Sequence, residues 1–77
     1  MRGQAYILIS TAVDKTEAVR DALAKLPEVR SAQVVSGPYD IIALVEVEDI
    51  LHIGDVLLQK IRRVDDITHT LTCYVVG

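Results

Sequence analysis

The chain has no phenylalanine, no tryptophan, one cysteine and two prolines in 77 residues. Its only aromatics are three scattered tyrosines, so base stacking on an aromatic platform is poorly supported. A lone thiol, Cys73, excludes an intramolecular disulfide and makes a reducing, cytoplasmic setting the expectation. No apolar run approaches the roughly 18 residues of a membrane span. The short run after Met1-Arg2-Gly3-Gln4 lacks the length of a signal-peptide core, so no membrane partner is expected. Positive charge is also in short supply. The net charge is -3, which gives no global attraction to phosphate. No Ser/Gly-rich linker, low-complexity segment or charged tail divides the chain, and one domain over 1–77 is expected.

Apolar residues are what the chain has in excess. They make up 51% of it, and mean hydropathy is +0.33. A domain this small buries only about 60% of its unfolded surface. The surplus apolar surface predicts an intermolecular interface.

Alternation predicts a first strand over Gln4–Thr11, with Ala5, Ile7 and Ile9 on one face and Tyr6, Leu8 and Ser10 on the other. Asp14 is the expected N-cap of a first helix, with Glu17 completing a capping box. Val19, Ala22, Leu23 and Leu26 follow at i, i+3, i+4 and i+7, and Pro27 ends the helix. A second strand is expected over Val29–Ser36 and a third over Tyr39–Val47, joined by a Gly37-Pro38 turn. Asp49 can cap a second helix reaching about Arg62, with the stripe Ile50, Ile53, Leu57, Leu58 and Ile61. Gly54 interrupts it without a visible reason. The last strand is expected over Asp66–Val76.

The order β-α-β-β-α-β predicts an α+β, ferredoxin-like fold: a four-stranded antiparallel sheet with two helices on one face. Strands 1 and 3 should be central. The helices cover one face only, and the other would show Tyr6, Leu8, Ile42 and Leu44 to water. A solvated sheet face should be polar. The apolar face therefore predicts a homodimer packed sheet against sheet through those four residues.

Few residues offer chemistry. His52, His69 and Cys73 are the only soft ligands, without a CxxC or HxxxH spacing, so neither metal nor cofactor is expected. Ser10, Ser31 and Ser36 have no local base, so no catalytic residue is expected. Lys60, Arg62 and Arg63 suit a helix C-terminus as well as an anion. Thr68, Thr70 and Thr72 share one strand face, as edge-strand residues or as a row of hydroxyls at a cleft. Ser36-Gly37-Pro38-Tyr39-Asp40 is open in the same way. Asp40 can cap turn amides, or the loop can offer a carboxylate and backbone groups to a zwitterion.

The stretch Val34-Val35-Ser36-Gly37-Pro38-Tyr39-Asp40-Ile41-Ile42 resembles the V-[ST]-G-x-[YF]-D signature of the Lrp/AsnC ligand-binding (RAM) domain. Ile61 to Thr72 resembles its closing pattern, an apolar helix end, a short loop and V-x-x-T-x-T. The likeness runs along essentially the whole chain. It implies domains that dimerise through their sheets, assembly to an octamer, and a small effector, commonly an amino acid, bound between dimers. It implies Ser36, Gly37, Tyr39 and Asp40 as one side of that site and Thr70 and Thr72 of a neighbouring subunit as the other. Asp65-Asp66 departs from the family's more usual Pro-Gly. Family members carry an N-terminal helix-turn-helix domain, for which these residues leave no room. The expectation is a stand-alone effector-sensing module with no direct nucleic-acid contact, acting in transcriptional regulation through full-length relatives.

Two alternatives share the element order. One is a dimeric α+β barrel enzyme of monooxygenase type, with His69 turned toward the helices as its polar residue. The other is an ACT-like regulatory domain, whose ligand would sit at side-by-side sheet edges.

Overall fold

The computed structural model describes residues 2–77. It contains β1 (Gly3–Thr11), α1 (Thr16–Ala24), β2 (Val29–Val34), β3 (Ile41–Val47), α2 (Ile53–Gln59) and β4 (Ile67–Tyr74). Single 3-10 turns over Ile50–His52 and Ile61–Arg63 flank α2. The strands form one antiparallel sheet in the order β2-β3-β1-β4. The ferredoxin-like expectation therefore holds, with β1 and β3 central. No helix among the described residues is long and apolar enough to cross a membrane.

The strict alternation of the two central strands builds the core. Ala5, Ile7 and Ile9 of β1 and Ile41, Ala43 and Val45 of β3 are fully buried. They pack against Val19 and Leu23 of α1, Ile53 and Val56 of α2, and Ile61. Val56 is not in the expected stripe, but it lies three residues after Ile53 on the same helix face and is buried with it. The side chain of Leu58 lies outside the described residues. Asp49 caps as expected, its carboxylate accepting from the Leu51 N–H at 3.0 Å, but the turn it caps is 3-10.

The capping box at Asp14 does not form. Asp14 takes a left-handed φ of 66°, whereas an N-cap needs extended backbone. Lys15 N–H bonds back to the Ala12 carbonyl at 3.1 Å, closing a turn, and α1 begins only at Thr16. Asp66 also has a left-handed φ, 72°. Glycine would occupy such a conformation without strain, so Asp66 is a less permissive residue at a left-handed position.

Two glycines give opposite predictions. A Cβ on Gly3 would lie 2.5 Å from the Ile50 Cα, a backbone atom that cannot swing aside. Gly3→Ala should destabilise by about 1–3 kcal/mol through overpacking. A Cβ on Gly54 would meet nothing within 4 Å. Gly54→Ala should raise stability by about 0.5–1 kcal/mol through helix propensity. Thermal unfolding of the two variants checks both signs.

Candidate ligand-binding site

The β2–β3 loop is closed by a hydrogen bond from Val35 N–H to the Asp40 carbonyl at 2.9 Å. Asp40 N–H donates to the Ile9 carbonyl at 2.9 Å, which ties the loop's end to β1. Ser36, Gly37 and Pro38 are exposed, and Tyr39 and Asp40 are half-buried. The loop overhangs a depression of about 210 Å³ on the face away from the helices, floored by Leu8 and Ile42.

The Asp40 carboxylate has a definite task. Its Oδ2 accepts from the Thr11 backbone N–H at 2.9 Å and from the Thr11 hydroxyl at 3.4 Å. Thr11 Oγ1 in turn lies 2.7 Å from Thr16 Oγ1, in the first turn of α1. Ala12 N–H donates to the Asp66 carbonyl at 2.9 Å. Three loops are thus knotted around Thr11–Ala12. Sequence reasoning placed Asp40 as a cap on its own turn or as a ligand contact. It missed Thr11, a distant strand end with no unusual local signal.

The register sorts β4. Cross-strand neighbours point the same way. His69, Leu71 and Cys73 pair with Ser10, Leu8 and Tyr6, so they share the open face. Thr70 and Thr72 pair with Ile9 and Ile7, so they share the helix side. His69 therefore does not face the helices, contrary to the geometry the enzyme alternative needs. Alternation told which β4 residues go together, but an edge strand without a clear apolar face does not say which set turns inward. Within one chain Thr70 and Thr72 lie on the opposite sheet face from Tyr39. Tyr39 instead stacks on His69, with ring centroids 6.3 Å apart and planes 21° off parallel. Beyond His69, a second depression of about 290 Å³ is lined by Arg62, Ile67, Thr68, His69 and Thr70.

The expected dimer residues sit together. Tyr6 pairs with Leu44 and Leu8 with Ile42, and Leu71 extends the patch beside Leu8. Tyr6 and Leu71 are each 46% exposed. At one end of this face Glu46 gathers Arg2 at 2.9 Å, Arg30 at 2.6 Å and Gln4 at 2.8 Å. The Arg30 hydrogen bond first, then that of Gln4, holds the Glu46 carboxyl below its ordinary 4.5, against an opposing effect of burial. Because the folded pKa is the lower one, the contribution is complete above the unfolded value of about 4.5 and is lost as pH falls through the folded pKa. Wild-type stability should therefore drop on acidification below about pH 4.5, and Glu46→Gln should show a shallower drop in acid titrations of the unfolding midpoint. Among the described residues, no three His, Cys, Asp or Glu side chains could together hold a metal ion.

The antiparallel βαββαβ sheet thus carries one helix-free apolar face with a loop recess opening onto it. Residues 4–77 match the Lrp/AsnC ligand binding domain, and the chain belongs to that family. This is a family of regulator ligand-binding domains, not of enzymes. An uncharacterized HTH-type transcriptional regulator of Pyrococcus abyssi is 37% identical over 68 residues, covering 88% of this chain and 43% of the relative. The chain thus spans less than half the length of that curated relative. A hypothetical protein from Pyrococcus horikoshii superposes with a TM-score of 0.90 at 35% identity, over 100% of this chain and 92% of its own. Escherichia coli AsnC gives a TM-score of 0.90 at 28% identity, covering 97% and 51%. A transcriptional regulator of Neisseria meningitidis, solved as its L-Met complex, shares the fold at a TM-score of 0.84 and 22% identity, covering 97% and 50%.

Proposed function

We propose that these residues form an effector-binding and oligomerisation domain that senses an amino acid or a related small metabolite in the cytoplasm. Its output is transcriptional regulation of amino-acid metabolism. The carrying observation is the contiguity of the loop recess and the apolar sheet face: Leu8 and Ile42 belong to both. A second copy covering Tyr6, Leu8, Ile42 and Leu44 would reshape the recess under Ser36, Gly37 and Tyr39, with Asp40 at the end of the same loop. Assembly and binding are then linked, because an effector shifts an assembly equilibrium by its different affinities for the two states. The N. meningitidis regulator, complexed with L-Met, lends the fold a precedent for an amino acid.

In this reading the sheet-packed dimer is the building block, dimers assemble to an octamer, and Thr70 and Thr72 reach the site from a neighbouring dimer. In this reading the domain itself makes no direct DNA contact. Operator contact falls to helix-turn-helix-bearing relatives that co-assemble with this domain. Isothermal calorimetry against the twenty amino acids tests the proposal. Saturable heat from at least one is expected, and none from any at millimolar concentration would overturn it.

A further inference from the structure

We infer that Arg62, with Thr68 and Thr70, forms an oxyanion-holding recess that takes the carboxylate of the effector. The inference deepens the proposed function and rests on it for the identity of the ligand, though not for the binding of an anion.

Arg62 belongs to the 3-10 turn Ile61–Arg63, whose first residue, Ile61, is fully buried. That anchor fixes the backbone from which the guanidinium extends. Among the described residues Arg62, like Lys15, Lys25 and Arg63, joins no ion pair, and it is the one cation that lines this recess. The recess is about 290 Å³, and no carboxylate lines it. This is at the lower end of small-ligand sites, roughly 300–1,000 Å³, and suits a molecule of amino-acid size.

The β4 side of the recess is irregular in a useful way. The β1–β4 register slips between Ser10 and Thr11, so that Ser10 faces His69 and Thr11 faces Ile67. Thr68 is left without a β1 partner, the arrangement of a β-bulge, and bulges re-aim side chains. β4 is an edge strand, so no further strand occupies its outer side. Thr68, Thr70 and Arg62 together offer hydroxyl and fork-shaped guanidinium donors with no carboxylate in the lining to compete for them. That donor set matches a small oxyanion, and the planar fork suits a carboxylate. Thr70 belongs both to this recess and to the proposed effector site.

The test uses the whole chain, with amide shifts followed by NMR against sodium acetate, inorganic phosphate and methylamine. Acetate should give saturable shifts at residues 67–70, and methylamine none there. Arg62→Gln should weaken acetate binding about tenfold, the loss expected for one charge-assisted hydrogen bond. Arg62→Lys should recover part of it, and Arg63→Gln, one residue along the same turn, should leave it unchanged. The same variants are titrated with whichever amino acid gives heat with the wild type. Absent or non-saturating shifts, or equal acetate affinity in Arg62→Gln, overturn the recess. Saturable phosphate binding without acetate binding overturns the carboxylate assignment. Acetate binding retained while no amino acid binds supports the recess and rejects the effector reading instead.

Discussion

Leu8→Glu should turn the assembly into monomers of 8.5 kDa while leaving the chain folded. Leu8 sits in the middle of the open face, between Ile42 on β3 and Leu71 on β4. In a single chain it is only half-buried, so a carboxylate there can stay hydrated. In a sheet-to-sheet dimer it would be enclosed by apolar side chains of two copies. Burying an uncompensated charge costs several kcal/mol even after relaxation. A loss of about 4 kcal/mol corresponds to roughly a thousandfold weaker self-association. Light scattering reads the mass, and far-UV circular dichroism confirms the fold. Leu8→Met, which nearly conserves volume, should keep the wild-type mass. Effector heat should vanish with the dimer, because Leu8 also floors the loop recess. An unchanged mass in Leu8→Glu would show that this face is not the interface.

Asp40→Ala should cut effector affinity at least tenfold and loosen the β2–β3 loop. The alanine leaves the Thr11 N–H without the acceptor that meets it at 2.9 Å. A part-buried donor left unsatisfied costs about 1–3 kcal/mol. For a domain of this size each kcal/mol moves Tm by roughly 4–8 °C. Asp40→Asn separates the clasp from the site. Its amide oxygen can still accept from Thr11, so the loop and Tm should stay near wild type. It lacks the charge that would hold a ligand ammonium group, so affinity should fall as it does for alanine. Wild-type affinity in Asp40→Asn would assign the carboxylate to the clasp alone. Amide exchange over residues 36–40 reports the loop independently of any ligand.

The central strands were legible because their alternation is strict. Ala5-Ile7-Ile9 and Ile41-Ala43-Val45 alternate strictly, and all six are fully buried. The α1 stripe was legible in the same way, through the helical spacing of Val19 and Leu23. Failures came at the ends of elements, where one local motif gave way to another. Asp14-x-x-Glu17 has the spacing of a capping box, but the turn closed by Ala12 and Lys15 takes the chain elsewhere. The second helix was expected to be continuous and is instead a 3-10 turn, seven α-helical residues and another 3-10 turn.

The candidate site shows the same division. The Ser36–Asp40 loop stood out through its Gly37-Pro38 turn and the carboxylate of Asp40 beside it. Its clasp on Thr11 did not stand out, because the partners are 29 positions apart. The face of Thr70 and Thr72 depends on register across β1, and the slip at Thr68 is invisible in a pattern of alternating threonines. Arg62 looked like an ordinary cation at a helix end until the recess beside it was seen to contain no carboxylate.

The most direct test is the mass of the chain in solution by light scattering, with and without each amino acid. A dimer or a multiple of dimers is expected, with a shift in that mass, or in its concentration dependence, on adding at least one amino acid. A monomer at all concentrations, indifferent to every amino acid, would contradict it.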